Sequence, residues 1–146
     1  MRKRGVLAVD IQVNVPFYDV DMVNIVWHGN YAKYLEDARC ALFDVISHNY
    51  DDMFRDGYVW PIVDMHLRYV QPARFRQVLN VRAELVEWRE RLVVNYLIKD
   101  AKTGQRLTRA TTTQVAVRME TQEMLYASPP QLLEAVELAL ANRSSR

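Results

Sequence analysis

The sequence lacks most of the features that assign a function at first sight. Its 146 residues include one cysteine, Cys40, so no intrachain disulfide can form and the fold does not depend on an oxidising compartment. Only four glycines are present, and none forms a dinucleotide-binding loop, a P-loop or the G-x-S-x-G turn of serine hydrolases. These absences argue against nucleotide-binding folds and against α/β-hydrolases.

Long hydrophobic runs and an excess of one charge are also absent. No stretch approaches the roughly 18 uninterrupted apolar residues of a membrane span, and the basic N-terminus lacks the apolar segment of a signal peptide. Nineteen basic and eighteen acidic residues give a net charge of +1, which argues against a general nucleic-acid binder. We therefore expect a cytoplasmic protein with no membrane span and no nucleic-acid partner.

A metal centre is not indicated either. His28, His48 and His66 have none of the close spacings of zinc ligands, and cysteine offers a single ligand. We expect no metal and no cofactor. With half of its residues apolar and a quarter charged, the chain has the composition of a soluble globular protein, and its length fits a single domain over residues 1–146.

Hydrophobic periodicity predicts a strand followed by a long helix. Apolar residues alternate from Val9 to Phe17 as in a half-buried strand, and Pro16 indicates an edge or a bulge. From Tyr31 to about Ser47 they recur every three or four positions, which predicts a helix with one apolar stripe and Asn30 as its N-cap. A short turn of helix is then expected to end at Gly57.

Four strand-like segments follow, and then a final helix. The predicted strands cover about Val59–Val70, Val78–Trp88, Leu92–Asp100 and Arg106–Met119, and the helix covers Gln131 to about Asn142. Short connections make neighbouring strands antiparallel. One curved antiparallel sheet around the central helix is the economical way to bury its apolar stripe, so we predict an α+β fold.

Polar side chains are concentrated just before the long helix. Asp19 and Asp21 are two residues apart, so they would lie on the same side of an extended backbone, where a shared pocket would raise one pKa. Alternatively, both are turn residues that accept hydrogen bonds from backbone N–H groups. His28 stands where a helix N-terminus can stabilise developing negative charge, or it is a surface residue. Asn24 tolerates the left-handed conformation and fixes a bend.

The segments FYDVDMVNIVWHGNYAKYLEDAR and RYVQPARFRQVLNV together resemble the hotdog-fold acyl-CoA thioesterases of the 4-hydroxybenzoyl-CoA thioesterase-like family. Residues that match the family's Asp-x-Asp turn, V-x-H-x-x-Y step and Y-x-E-x-A-R helix pattern are Asp19, Asp21, Val26, His28, Tyr31, Tyr34, Glu36, Ala38 and Arg39. Those that match the later Y-x-x-P-A-R pattern are Tyr69, Pro72, Ala73 and Arg74. The resemblance implies a five-stranded antiparallel sheet wrapped around a long central helix, and a homodimer or homotetramer with its sites between subunits.

The resemblance also implies roles for the residues before the helix. Asp21 is expected to attack a thioester carbonyl or to activate water, while the backbone N–H of His28 polarises that carbonyl and the His28 side chain assists. Asn24, Trp27 and Tyr31 are candidate substrate contacts, although aromatic residues at these spacings are more often part of the core. Related sequences commonly carry glycine where Asn24 stands.

Arg74 and Arg76 cluster at a strand end beside Pro72. They form either a solvated loop or a site for the phosphates of coenzyme A, since the arginine fork suits phosphate.

Three functions are compatible with these residues. The first is hydrolysis of an acyl thioester on coenzyme A or acyl carrier protein. The second is a hotdog dehydratase or hydratase that acts on a 3-hydroxyacyl thioester, for which a His–Asp arrangement would be expected. The third is a non-catalytic module that binds acyl thioesters.

Overall fold

A curved sheet and a long helix occupy the centre of the computed structural model, which describes residues 5 to 144. The strands of this region are β1 (Leu7–Asn14), β2 (Tyr58–Val59), β3 (Ile62–Tyr69), β4 (Val78–Glu87), β5 (Leu92–Asp100), β6 (Arg106–Gln114) and β7 (Val117–Arg118). Its α-helices are α1 (Tyr31–Val45), α2 (Tyr50–Arg55) and α3 (Pro130–Ser144).

Five strands form the main sheet in the order β1-β4-β5-β6-β3, and every neighbouring pair is antiparallel. Helix α1 packs against β1 and β4. Alternate residues of β4, such as Leu79, Val81 and Leu85, are fully buried because they belong to the core that α1 completes. The predicted α+β arrangement of five antiparallel strands around a central helix is confirmed.

Strand β3 lies at one edge of the sheet, and β1 lies at the other. β3 does not pair with β4, the next strand in the sequence, but crosses to the far side and pairs with β6. Within β3 every residue except Leu67 is exposed. Of the edge or bulge that Pro16 indicated for the first strand, the structure has the edge. The second edge strand, β3, is the exposed and partly apolar one.

Three predicted strands have the wrong limits. The predicted strand Val59–Val70 is divided, because β2 and β3 belong to different sheets. β1 ends at Asn14, and Phe17 is 71% exposed in a short 3-10 turn, because Pro16 has no N–H group with which to continue the ladder. The predicted strand Arg106–Met119 is divided, since β6 ends at Gln114 and β7 pairs with β2 as a separate ribbon. The β-branched residues favour a strand without specifying the sheet to which it belongs.

A buried polar network connects α1 to α2 and to the sheet. Arg39 is 4% exposed; its Nε donates to the Tyr50 hydroxyl (2.7 Å) and its Nη1 to the Tyr96 hydroxyl (3.1 Å). The Tyr96 hydroxyl in turn lies 2.7 Å from Thr112 Oγ1 on β6. A buried guanidinium requires hydrogen-bond partners, so Arg39 of the helix motif has a structural role.

At the C-terminal side, α3 begins close to the turn between β4 and β5, where the Ser128 N–H donates to the Arg89 carbonyl (2.8 Å). Leu132 and Val136 on this helix are buried in the main hydrophobic core. Between residues 5 and 144, no helix has both the length and the apolar character needed to cross a membrane.

Candidate active site

The chain between β1 and α1 folds as a series of tight turns that are pinned to the segment after β3. The Asp21 N–H donates to the Ile25 carbonyl (2.8 Å), which closes a turn, and the Val26 N–H donates to the Ala73 carbonyl (2.8 Å). Ile25 also pairs with Arg74 in an isolated antiparallel bridge. The residues before the helix and the P-A-R segment therefore form one hydrogen-bonded unit.

Asp19 anchors this unit to α1. Its side chain is buried, forms an ion pair with Lys33 and accepts a hydrogen bond from the Tyr34 hydroxyl (2.7 Å). Its carbonyl accepts hydrogen bonds from Asn30 Nδ2 (2.8 Å) and from the Trp27 N–H (3.0 Å). Burial and the hydrogen bond to Asp19 raise the pKa of Tyr34 well above its usual value, so this hydroxyl remains a donor. Asp19 thus has a structural role.

Asp21 is exposed instead. Its Oδ1 accepts hydrogen bonds from the Val23 N–H (3.0 Å) and, at longer range, from the Ile25 N–H (3.5 Å). Its Oδ2 accepts no hydrogen bond from the described part of the chain. The 3-10 turn Phe17–Asp19 interrupts the extended backbone, so Asp19 is buried while Asp21 is exposed and lines a cavity. Of the two alternatives, the one in which both aspartates share a pocket is therefore excluded.

A cavity of about 330 Å³ lies in front of Asp21. Its lining residues come from both halves of the hydrogen-bonded unit and are Asp21, Ile25, Val26, His28, Tyr31, Tyr69, Val70, Gln71 and Pro72. The structure therefore brings together three of the predicted site residues, a carboxylate, an imidazole and a phenol, at the N-terminal end of α1.

Two tyrosines organise this cavity. The Tyr31 hydroxyl accepts a hydrogen bond from the Ala73 N–H (3.1 Å), which leaves its own hydrogen available to an acceptor. The Tyr69 hydroxyl donates to the His28 carbonyl (2.8 Å), and its ring packs edge-on against Tyr31. Burial raises the pKa of both tyrosines, so both stay protonated. The sequence motif includes Tyr69, but the bond to His28 spans 41 residues and has no local signal.

The helix entrance differs from the predicted cap. A 3-10 turn over His28–Asn30 precedes α1, and the Asn30 side chain bonds the Asp19 carbonyl rather than a helix N–H group. The Trp27 backbone is extended, so the helical structure begins at His28. The first N–H groups of a helix have no acceptor within it, so the helical structure that begins at His28 has N–H groups for which a ligand can supply an acceptor.

The remaining candidates from the loop lie outside the cavity lining. Asn24 has a positive φ of 65°, in agreement with the expected left-handed bend, but its side chain does not line the cavity. Trp27 is 52% exposed and packs its ring against the His28 imidazole, with centroids 4.9 Å apart. A side chain at position 29 would meet that ring, because a Cβ on Gly29 would lie 2.1 Å from it.

Arg74 and Arg76 are exposed on the turn that follows Ala73. They line a second cavity of about 400 Å³, which shares Gln71 and Pro72 with the Asp21 cavity. Within residues 5–144, no three His, Cys, Asp or Glu side chains converge as a metal site would require.

Comparisons with known proteins agree with this architecture. The family model of the Thioesterase-like superfamily matches residues 15–138. The chain is 27% identical over 77 residues to a putative acyl-CoA thioesterase, YneP, of Bacillus subtilis, a match that covers 53% of this chain and 56% of YneP. It is 31% identical over 87 residues to the acyl-CoA thioesterase YbgC of Helicobacter pylori, over 58% of this chain and 61% of YbgC.

These matches thus span little more than half the length of either curated relative. Among solved structures, the DHNA-CoA thioesterase from Staphylococcus aureus superposes with a TM-score of 0.81 over 95% of both chains, at 23% identity. This likeness concerns the fold, and it identifies the sheet and helix as a hotdog, as the sequence motifs predict.

The buried position of Asp19 generates a stability prediction. In Asp19→Asn, an amide oxygen can still accept the Tyr34 hydrogen bond, but the charge that pairs with Lys33 is lost. We expect the free energy of unfolding to fall by about 1–3 kcal/mol, the usual range for a disrupted buried polar group. Urea denaturation measures the change.

The matched control is Asp21→Asn, which carries the same change of charge in the same loop. Its exposed amide can still accept the Val23 hydrogen bond, so its unfolding free energy should be close to that of the wild type. Equal losses in the two variants would contradict the anchoring role of Asp19.

Proposed function

Because the chain belongs to the Thioesterase-like superfamily, we propose that it hydrolyses an acyl-CoA thioester to a free acid and coenzyme A. The observation that carries the proposal is that Asp21, whose Oδ2 accepts no hydrogen bond from the described residues, lines a cavity together with His28 and Tyr31 at the start of α1. The names of YneP and YbgC support coenzyme A as the carrier. Acyl carrier protein, whose thioester has the same reactive group, is the alternative carrier.

In this proposal the thioester carbonyl oxygen accepts a hydrogen bond from the His28 N–H. The partial positive charge of the helix N-terminus then stabilises the negative charge that develops on that oxygen. Asp21 either attacks the carbonyl carbon, giving an anhydride that water later cleaves, or removes a proton from an attacking water. Both routes add water across the C–S bond and release a thiol.

Two tyrosines and two loop residues would orient the groups that contact the substrate. Tyr69 holds the His28 carbonyl, which fixes the orientation of the peptide that follows it. Tyr31 can donate its hydrogen to the substrate while it accepts one from Ala73. Trp27 packs on the His28 ring and restricts the rotation of the imidazole. Asn24 contributes through the bend that turns Asp21 toward the cavity.

A second enzyme class is suggested by the same cavity. The His28 side chain and Asp21 both line it, and a dehydratase or hydratase acting on a 3-hydroxyacyl thioester would use an imidazole and a carboxylate to move protons. A thiol-reactive dye distinguishes the classes, because only hydrolysis releases free thiol. A binding module without catalysis would retain the thioester unchanged.

The role of Asp21 is tested by Asp21→Asn, which preserves shape and removes the negative charge. We expect kcat to fall about a hundredfold or more, the scale for loss of a general base or nucleophile. Asp19→Asn carries the same change of charge and is the control. We expect its kcat to fall less than that of Asp21→Asn. A correctly folded Asp21→Asn enzyme with near wild-type kcat would exclude Asp21 from the mechanism.

Arg74 and Arg76 are proposed to hold phosphates of the carrier. Both are exposed, and neither forms an ion pair with a carboxylate within residues 5–144, so their charges are available to a ligand. Replacing both with alanine should raise KM for a CoA thioester about tenfold and weaken its dependence on salt. Arg109→Ala, an exposed arginine on β6, is the control. Unchanged kinetics at low and high salt would contradict the assignment.

We also propose that two copies associate through β3, as a homodimer or as part of a homotetramer. An unpaired strand edge binds other strands readily, and β3 exposes the apolar side chains of Ile62, Val63, Met65 and Tyr69. Antiparallel pairing of two β3 strands would place the start of one strand beside the end of the other. That end carries Tyr69, which lines the Asp21 cavity.

The proposed pairing of β3 strands would also bring a binding cavity for the acyl group next to Asp21. An apolar cavity of about 350 Å³ lies at the start of β3, lined by residues that include Met53, Phe54, Tyr58 and Trp60. Within one chain, β3 separates it from the Asp21 cavity by about 25 Å, the length of eight strand residues at about 3.3 Å each. In the proposed dimer, the apolar cavity of one subunit adjoins the reactive cavity of the other.

Sedimentation tests the association. The wild type should sediment with at least twice the mass of the 17.1 kDa chain at micromolar concentration. Met65→Lys places a charge on the β3 edge and should shift the protein to monomer with loss of turnover. Leu138→Lys, at an exposed apolar residue of α3, is the control. A monomeric wild type with full activity would overturn the proposal.

A further inference from the structure

The face of β3 that is turned away from α1 carries two charged side chains and an imidazole. Asp64, His66 and Arg68 alternate along the strand, so they lie on one face of the sheet, and all three are exposed. Met65, which lies between them on the other face, is in register with Thr112, a fully buried residue of the core. The three polar side chains therefore lie on the outer face of the sheet, at its open edge.

The charges of Asp64 and Arg68 are unmatched within one chain. In the pairing of β3 with β6, Asp64 is opposite Thr113, and Arg68 is opposite Arg109. Like charges that face each other directly destabilise a pair of strands. None of these three charged residues forms an ion pair within residues 5–144. The open edge thus presents a carboxylate and a guanidinium to any strand that pairs with it.

A second copy of β3 supplies the opposite charges. When two identical strands pair antiparallel about a two-fold axis, a residue before the axis faces the residue an equal number of positions after it. Facing residues lie on the same face of a continuous sheet, so the axis passes through a residue rather than between two residues. An axis through His66 places Asp64 opposite the partner's Arg68, and symmetry repeats this pair.

Other positions of the axis match less well. An axis through Met65 would place Arg68 opposite the partner's Ile62, and an axis through Leu67 would place His66 opposite the partner's Arg68. With the axis through His66, Met65 is opposite the partner's Leu67, so apolar residues also face apolar residues.

We propose that the outer face of β3 is a self-recognition surface, in which two Asp64–Arg68 pairs flank a facing pair of His66 side chains. The register rests on the association of β3 strands put forward with the proposed function, and it specifies the residues that meet. A second copy suits this surface better than a purely acidic or basic partner, because the surface carries both charges in an order that complements itself under two-fold symmetry.

This register makes the partner part of each candidate active site. With the axis through His66, Tyr69 lies opposite the partner's Val63. Tyr69 lines the Asp21 cavity and donates to the His28 carbonyl. The second subunit therefore covers the open side of a residue that shapes the cavity, and each site is completed by the other chain.

The facing imidazoles give the association a dependence on pH. The charged groups that share the outer face with His66 are Asp64 and Arg68 on its own strand and Arg109 on β6, a net positive set in each subunit. Protonation of both imidazoles adds two facing positive charges at the axis, which the dimer accepts less readily than the separate chains do. Association is therefore strongest with neutral imidazoles and weakens as the pH falls.

Sedimentation measures this dependence. The dimer dissociation constant should rise about tenfold from about pH 8 to about pH 5.5, the range in which histidine changes charge. His66→Asn stays neutral and should remove the dependence. No rise in the wild type, or an equal rise in His66→Asn, would contradict the facing histidines.

Cysteine crosslinking tests the register without any turnover. Directly opposite residues of antiparallel strands have Cα atoms about 4.5–5.5 Å apart, which a disulfide spans, whereas positions offset by two residues are about 7–8 Å apart. His66→Cys should therefore form a disulfide-linked dimer in air, as seen by non-reducing electrophoresis. Met65→Cys and Leu67→Cys are the matched controls and should remain unlinked, as should the wild type with its Cys40.

Exchange of the two charges tests the contacts themselves. Asp64→Arg should raise the dimer dissociation constant about tenfold, because two arginines then face each other across the axis on both sides. Arg68→Asp in the same chain restores opposite charges and should recover the wild-type value. An exchanged variant that stays as weak as Asp64→Arg would overturn the Asp64–Arg68 pairs.

The crosslinking results separate this register from the proposed function. A disulfide in Met65→Cys or Leu67→Cys, with none in His66→Cys, would overturn the register and retain the association through β3. A dimer in which none of the three cysteines crosslinks would overturn both. Crosslinking of His66→Cys in a protein that hydrolyses no thioester would support the register while it contradicts the thioesterase proposal.

Discussion

The buried carboxylate of Asp19 is the interaction on which the site depends. The loop between β1 and α1 has no regular strand or long helix of its own, so its shape must come from hydrogen bonds. Asp19 supplies them through its side chain, to Lys33 and Tyr34, and through its carbonyl, to Asn30 and Trp27. A buried charge raises the free energy of the folded state unless it is paired. The pairing of Asp19 with Lys33 therefore favours this arrangement of the loop.

This anchor permits two neighbouring aspartates to have opposite roles. Asp19 ends a 3-10 turn and is directed into the protein, whereas Asp21 begins the next turn and is directed outward. One is held by a cation and a phenol, and the other keeps a free oxygen at the edge of a cavity. The division arises from the local backbone, because the two residues are chemically identical and only one residue separates them.

The sequence predicted the fold through periodicity and the site through a motif. The helix stripe from Tyr31 and the alternation of β4 and β5 are regular over many residues, so the limits of α1, β4 and β5 agree closely with the predictions. The limits of the strands predicted at β1, β3 and β6 were wrong at their ends, where Pro16 or a change of sheet intervenes. Periodicity describes which face is buried, and it does not say where a strand leaves its sheet.

At the site, the motif grouped Asp21, His28 and Tyr31 correctly in one cavity. It did not reveal that Lys33 neutralises Asp19, or that Tyr69 holds the His28 carbonyl. Both contacts join residues far apart in the sequence, and they depend on how the loop lies on the helix and on β3. The polar network of Arg39 was similarly hidden, because its tyrosine partners look like ordinary core residues.

Backbone strain connects the two halves of the site. Asn24 and Arg76 both have positive φ, the first in the turn of Asp21 and the second at the end of the segment that pairs with that turn. Hydrogen bonds join the segments at both ends, from the Val26 N–H to the Ala73 carbonyl and from the Arg76 N–H to the Val15 carbonyl. Neither turn can shift without breaking these bonds. The Asp21 turn and the arginine turn are therefore held at a fixed separation, as a ligand that contacts both would require.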